Sequence, residues 1–457
     1  MRDLVLAGIV FGSLPFVLKR PFWGVLLLAW LGYMNPHRLC YGFMLEMPVV
    51  QIVAIATLVG MLMSKEAKRL VWSREMTLLV VFVAWMGLTT TQALYQELAI
   101  IQYVKVLKIQ ILTAMTLLML TSREKVRAFV WVIVLSLGYY GIKGGLFTIA
   151  HGGVYRVQGP FGTFIGGNNE LALAMTMTIP LMRYLQLEAR GKWVRLGLLA
   201  GMALTAISAV GSQSRGALVA LAATGLLFWL KSRNKVWSGL LIVALVAVVA
   251  DLMPASWYER MDTIKTYDSD ASALGRINAW WMAWNMARDR FFGGGFESFL
   301  APSFQRYAPV PHDVHDSHSI YFQMMGHHGF VGLGIFLALL AMTWWKCGIV
   351  IRLAKKNESV RWAGNLAAML QVSLTAYMVG GAFLGLGYFD YLYHLIALVV
   401  VTYDLARRAL QAQGAGAPSA AQPAAAAAQP QAAAQQAGAA QPAAATPPVG
   451  ALRQRPG

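Results

Sequence analysis

Apolar residues run along this chain in long stretches separated by short polar ones, and most stretches have the length that crosses a bilayer. They fall at roughly 4–18, 21–35, 47–64, 76–94, 100–120, 127–150, 169–187, 194–211, 214–230, 236–253, 318–345, 362–386 and 389–405. The first two are short enough to be a re-entrant pair or tilted spans. The pattern therefore predicts an all-α polytopic membrane protein of about 12 transmembrane helices. Its divisions would be N-terminal transmembrane helices (1–253), a large loop and helical segment (254–317), C-terminal transmembrane helices (318–405) and a cytoplasmic tail (406–457). Within the loop, Ala279-Trp-Trp-Met-Ala-Trp-Asn-Met-Ala-Arg reads as an amphipathic helix. Trp280, Trp281 and Trp284 would form its interface-seeking face, lying along the outer leaflet above a cavity, and Gly293-Gly-Gly would end it.

Composition agrees, with 58% hydrophobic and 13% charged residues, too apolar for a soluble domain. The formal net charge of +18 raises nucleic acid as a partner, but the placement of the cations removes it. Lys65, Lys68, Arg69 and Arg74, then Arg123, Lys125 and Arg127, then Arg190, Lys192 and Arg195, and on to Arg407 and Arg408, occupy every second loop. That alternation is the positive-inside rule. It puts the loops 36–46, 95–99, 151–168, 211–214 and 254–317 on the outer side and the C-terminus inside. No cleavable signal precedes the first span. Cys40 and Cys347 would lie on opposite sides and form no disulfide. The Ala-, Pro- and Gln-rich stretch 412–457 cannot bury a core, which predicts disorder.

Candidate chemistry gathers on the outer side. Five of the eight histidines lie at 312, 315, 318, 327 and 328, where a polar segment runs into a span. Groups that carry a proton near neutral pH are placed there for work on a substrate that is half lipid. His312, His315 and His318 have a spacing that raises a metal site. Pro309 and Pro311 make the segment irregular, so a second reading has Asp313 and Asp316 orienting imidazole bases. His327 and His328 read as polar helix contacts inside the span.

Arg215, in Gly211-Ser-Gln-Ser-Arg-Gly-Ala, starts a helix against the dipole, where it either snorkels or holds an anion. Arg276 opens the tryptophan helix, also at the end that disfavours a cation, whereas Arg288 and Arg290 suit its C-terminal end. Two convergent guanidinium groups would suit a diphosphate. Lys105 and Lys108 share one face of a helix, as a second shell for an anion or as a structural pair. Arg156, Asn168, Asn169 and Glu170 border a Gly-rich outer turn, with helix capping as the alternative role of the asparagines. Asp268-Ser-Asp270 reads as a turn.

Four motifs carry a family resemblance: Gly159-Pro-Phe-Gly with Asn169-Glu-Leu-Ala; Ser212-Gln-Ser-Arg-Gly-Ala; Gly275-Arg-Ile-Asn-Ala-Trp with Gly293-Gly-Gly-Phe; and His318-Ser-Ile-Tyr-Phe-Gln-Met-Met-Gly-His-His-Gly. With them, residues 1–405 resemble the O-antigen ligase family of membrane glycosyltransferases. Asn35-Pro-His-Arg-Leu and Gly141-Ile-Lys-Gly-Gly-Leu-Phe resemble its exosortase-associated O-glycosylation ligase subgroup. His318-Ser319 and His327 stand where members usually read His-Asn and a Glu, which bears on substrate choice. The resemblance implies a GT-C-like fold in the bacterial inner membrane and an active site facing the periplasm. It implies a metal-independent, inverting transfer of glycan from undecaprenyl diphosphate, with no cofactor. Arg215 and Arg276, helped by Arg288, would hold the diphosphate. His318 or His315 would be the base, and Lys105, Lys108, Arg156, Asn169 and Asp316 would stand behind them. The expected acceptor is a lipid A-core sugar, as in lipopolysaccharide biosynthesis. A protein hydroxyl or the growing glycan are the enzymatic alternatives, and a polyprenyl-linked glycan transporter is the non-enzymatic one.

Overall fold

The computed structural model describes residues 1–232, 234–262 and 271–416. Asp268-Ser-Asp270 and most of the Ala/Pro/Gln tail lie outside them. Among the described residues the chain is built of α-helices and short 3-10 turns, with no strand. In chain order the helices are α1 (Arg2–Lys19), α2 (Pro21–Met34), α3 (Val49–Met63), α4 (Arg74–Thr91), α5 (Gln96–Met119) and α6 (Arg123–Ala150). Next come α7 (Asn168–Glu188), α8 (Lys192–Gly211), α9 (Arg215–Lys231), α10 (Lys235–Leu252) and α11 (Ala255–Asp262). The last are α12 (Ala271–Asp289), α13 (Ala301–Tyr307), α14 (Ile320–Lys355), α15 (Arg361–Gly380) and α16 (Asp390–Gly416). Residues Met1–Ala412 form one compact unit.

Among the described residues, six helical segments are long and apolar enough to cross a membrane: Gln96–Met119, Arg123–Ala150, Lys192–Gly211, Lys235–Leu252, Ile320–Lys355 and Glu358–Phe383. Pro21–Met34 and Val49–Met63 are shorter apolar helices. This is fewer than the twelve expected, because several apolar stretches fold into helices that are short or polar at both ends. Thus α9 has 17 residues, and α4 begins Arg-Glu and ends Thr-Thr-Thr.

Packing in a membrane needs close approach, since lipid is as apolar as a leucine face. The α6–α8 contact shows how Gly141-Ile-Lys-Gly-Gly achieves it. A β-carbon at Gly141 would lie 2.3 Å from Thr205 Oγ1, and one at Gly145 would lie 2.2 Å from the Leu204 carbonyl. The centre of the unit is α7, buried at nearly every position from Leu171 to Gln186 and flanked by α6, α8, α9 and α15. The basic loops are tied to one another: Arg123 pairs with Glu188 at 2.6 Å, Lys125 with Glu66 at 2.7 Å, Arg69 with Asp404 at 3.2 Å, and Lys346 with Glu75.

The long helix α14 is broken at Gly329 (φ 68°, ψ −173°). A break at this depth frees carbonyls that hydrocarbon cannot satisfy. Three donors from other segments take them: Gly294 N–H to Gly326 at 2.8 Å, Gly295 N–H to His327 at 2.9 Å, and Trp85 Nε1–H to His328 at 3.0 Å. His327 Nδ1 and His328 Nε2 both meet the Tyr388 hydroxyl, at 2.9 and 2.8 Å, and His328 Nδ1 meets Thr89 Oγ1 at 2.7 Å. Both histidines are buried. They cross-link α4, α14 and the approach to α16.

Candidate active site

Helix α9 begins with Ser214 as its N-cap, accepting from Ala217 N–H at 3.2 Å, so Arg215 is the first helical residue, as expected. The turn before it is stitched to the loop 151–168. Gln213 donates to the carbonyls of Gly153 (3.1 Å) and Val154 (3.2 Å) and accepts from Arg156 Nε at 3.3 Å. Asn168 Nδ2 donates to the Ser212 carbonyl at 2.8 Å. Capping is not the asparagines' role: the N-cap of α7 is Gly167, and Glu170 folds back over it, 2.1 Å from where a β-carbon would be. Arg156 therefore acts through Gln213, while Asn169 is left to face a cavity.

That cavity, about 50 Å³, is lined by Asn169, Gln213, Ser214, Arg215, Gly216, Ser272, Arg276 and Phe383. The two guanidinium-bearing residues singled out in the sequence, on α9 and α12, thus converge, with Asn169 beside them. Helix α12 starts earlier than its tryptophans suggested, at Ala271, which puts Arg276 in the second turn. Arg288 is twelve residues further along the same helix, about 18 Å away by helical rise, and exposed. The structure does not bring it to the pair.

Helix α12 also holds the histidine segment. Asn278 donates to the carbonyls of Val310 (2.8 Å) and Asp313 (2.9 Å) and accepts from Val310 N–H at 2.9 Å. Trp280 donates from Nε1 to the Ser317 carbonyl at 2.7 Å and stacks on Phe322, centroids 4.8 Å apart. Trp280 is therefore turned inward rather than out along an interface; Trp281 and Trp284 are the exposed pair, at 52% and 41%. The His315 ring rests on Gly275, where a β-carbon would be 2.3 Å from its Cδ2. The named positions of Gly275-Arg276-Ile-Asn278-Ala-Trp280 thus divide the work among them. Gly275 admits the ring, Arg276 enters the cavity, and Asn278 and Trp280 fix the loop.

The two imidazoles have separate carboxylates. His315 Nε2 is 2.7 Å from Asp313 Oδ1. His318 Nδ1 is 3.7 Å from Asp316 Oδ2, which also accepts from the His318 N–H at 3.4 Å. Among the described residues no three His, Cys, Asp or Glu side chains gather as a metal-holding set. His318 has φ +40° and Gln213 φ +57°. Strained backbone of this kind, of order 1–3 kcal/mol each, persists where the surroundings over-determine it and collects at working sites. Asp316 lies against the loop after α15: a β-carbon at Gly385 would be 2.7 Å from its Oδ2. The same loop supplies Phe383 to the Arg215–Arg276 cavity. It was not singled out in the sequence, where most of it falls inside the apolar stretch 362–386.

Lys105 does not join this group. It lines a second cavity with Arg38 and Asp390, while Lys108 is exposed and lines neither.

With this geometry in view, comparison with known families separates the chain into two parts. Residues 200–337 match the family model described as O-antigen ligase, and residues 1–189 match a family of unknown function. Over residues 200–337 the chain is thus similar to the O-antigen ligase family. No curated protein matches it. The family segment contains Arg215, Arg276, both candidate bases and their carboxylates; Asn169 and Arg156 come from the other part. That similarity carries a coarse function. This is a multi-pass membrane protein of ligase- or polymerase-like glycan transfer, acting on a membrane-associated, glycan-linked substrate.

Proposed function

We propose that the protein transfers a glycan en bloc from undecaprenyl diphosphate to a hydroxyl of a lipid A-core sugar, on the periplasmic side of the bacterial inner membrane. The observation that carries this reading is the convergence of Arg215 and Arg276 on one cavity, with the His315 ring packed on the residue before Arg276. Each guanidinium donates two parallel hydrogen bonds to a diphosphate and keeps its charge throughout. Asn169 adds a neutral donor, and Phe383 gives the cavity an apolar wall.

In this scheme the acceptor hydroxyl loses its proton to His318, with Asp316 beside it, or to His315, which Asp313 holds. The hydroxyl oxygen forms a bond to the anomeric carbon from the side opposite the diphosphate, and the bond from that carbon to the diphosphate oxygen breaks. Configuration inverts, and undecaprenyl diphosphate leaves with its new charge already balanced by the two arginines. The chain supplies a base and a charge clamp, so the scheme calls for neither ATP nor a metal. A protein hydroxyl, as in the O-glycosylation ligase subgroup, or a growing glycan would be used by the same chemistry.

The test is to incubate the purified protein with undecaprenyl-diphosphate glycan and, separately, lipid A-core, protein and glycan acceptors, with and without EDTA. Transfer should appear with lipid A-core, survive EDTA, and vanish in Arg215→Ala and His318→Ala proteins that still fold. Normal transfer by both variants would refute the site, and loss with EDTA would refute the metal-free scheme.

A further inference from the structure

The second cavity is the larger, about 450 Å³, within the range of sites that enclose a small-molecule group. Its polar lining includes Arg38, Lys105, His37, Gln102, Thr163 and Asp390. Among the described residues neither the Arg38 guanidinium nor the Lys105 ammonium has an ion-pair or hydrogen-bond partner. The Arg38 guanidinium turns over Gly162, with Nη1 3.7 Å from where a β-carbon would lie. His37 adds a buried Nδ1 that also has no partner. Burial, and then the Arg38 charge, push the His37 pKa below 6.5, so at neutral pH the ring is an uncharged donor and acceptor. The buried, unpartnered His37 Nδ1 is costly unless something else meets it, and the two cations beside it have charge to offer an anion. Phe164 and Phe389, with ring centroids 6.2 Å apart, supply an apolar wall.

This cavity shares two walls with the diphosphate clamp. The turn that gives it Thr163 and Phe164 leads directly into Asn169 of the clamp. The loop that gives it Phe389 and Asp390 carries Phe383 of the clamp, and at Gly385 touches Asp316 beside His318. None of its lining residues falls within 200–337, the family-matched segment that carries the clamp.

We infer that this cavity is the acceptor subsite, and that it takes a sugar headgroup bearing a phosphate. Arg38 and Lys105 pair with the phosphate; His37, Gln102, Thr163 and the Asp390 carboxylate meet hydroxyls. This rests on the proposed function and adds to it the place and the charge of the acceptor.

The experiment is equilibrium binding to the full-length protein in detergent. The probes are undecaprenyl diphosphate, lipid A-core, lipid A-core stripped of its phosphates, and inorganic phosphate as competitor. The Arg38→Gln/Lys105→Gln double variant should weaken lipid A-core binding about tenfold or more and change undecaprenyl diphosphate binding less than about twofold. The stripped lipid should bind both proteins equally weakly. Both positions are exposed, so the melting midpoint should hold, and Lys105→Gln alone should show the same direction. Undiminished lipid A-core binding in the folded variants overturns the inference. So does full displacement of the lipid by an equal concentration of inorganic phosphate, which would make this a free-phosphate site. If undecaprenyl diphosphate does not bind the unaltered protein, the proposed function falls first. If it binds, and lipid A-core ignores both substitutions, the inference falls alone.

Discussion

The most direct test of how the histidine segment meets the clamp is Gly275→Ala. The new β-carbon would lie 2.3 Å from His315 Cδ2 and 2.5 Å from its Nε2, against an optimum of about 3.5–4.0 Å for carbon atoms. The ring must therefore withdraw by about 1 Å or more, and it must do so while Nε2 is held 2.7 Å from Asp313. Asn278 and Trp280 pin the backbone on either side, so the loop cannot retreat as a whole. A displacement of about 1 Å in a site of this kind lowers turnover about a hundredfold, or about 2.7 kcal/mol in the barrier.

Stability should move the other way. Replacing a helix-interior Gly by Ala favours the helix by about 1 kcal/mol, so the melting midpoint should hold or rise while transfer falls. The assay is glycan transfer to lipid A-core under saturating donor, beside a thermal melt of the same preparation. In a His315→Ala background the Ala at 275 meets no ring, and its penalty should vanish, which a double-mutant cycle measures. Full activity in Gly275→Ala, or an undiminished penalty in the His315→Ala background, would remove His315 from the site and leave His318 alone as the candidate base.

Four further outcomes follow from the same contacts. Arg215→Lys keeps the charge but loses the two-pronged geometry and should cost about tenfold in kcat/KM, against about a hundredfold or more for Arg215→Ala; no loss in Arg215→Lys would mean that charge alone matters. Asn278→Ala leaves two carbonyls and one N–H of the 310–313 turn without their partner, costing about 1–3 kcal/mol, read as a lower melting midpoint and faster proteolysis before His318. Gly293→Ala puts a β-carbon 2.6 Å from the Gly329 nitrogen at φ +70°, so the fold should lose at least about 2 kcal/mol, seen as poor yield or a collapsed melt. For His37, whose pKa in the fold lies below 6.5, the unfolded chain takes up the proton first as pH falls; stability should drop as pH falls through about 6.5, and His37→Gln should flatten that slope.

Hydropathy was enough to place most helices, because a span needs a continuous apolar run and polar residues collect at its ends. That Arg215 stands apart was legible for a related reason, since a cation at the start of a helix opposes the dipole; Arg276, expected at a helix start, lies in the second turn of α12 and lines the same cavity all the same. The same logic set Arg288 apart as a cation suited to the C-terminal end of its helix, and twelve residues of rise do carry it away from the Arg215–Arg276 cavity. Asn278 and Trp280 look like ordinary members of an amphipathic stripe. Their roles appear only when residues 310–317, some thirty positions downstream, fold back onto them. Arg38 and His37 sit in a short polar turn with no periodicity, and Lys105 on a helix read as a pair with Lys108. That they share a cavity depends on the packing of α2, α5 and the turn before α7, which no local pattern encodes.

The two glycine motifs that looked independent in the sequence are one device. Gly293-Gly-Gly follows α12, and Gly326-His-His-Gly lies within α14. Gly294 and Gly295 donate to the carbonyls that the break at Gly329 releases, and the β-carbon missing at Gly293 is what lets the two backbone segments meet. The break turns the first part of α14, with His318 just before it, relative to the rest of the span. The docked glycines tie that turned part to the C-terminal end of α12, while Asn278 and Trp280 tie the histidine segment to its N-terminal half. The histidine segment and the start of α14 are thus held along the helix that contributes Arg276. Any motion of α12 would therefore carry the histidine segment and Arg276 together. This accounts for a transmembrane helix keeping a break beside its polar end: straightening α14 would take the carbonyls of Gly326, His327 and His328 back into its own hydrogen bonding, leave Gly294, Gly295 and Trp85 without their acceptors, and undock the first part of α14 from the C-terminal end of α12.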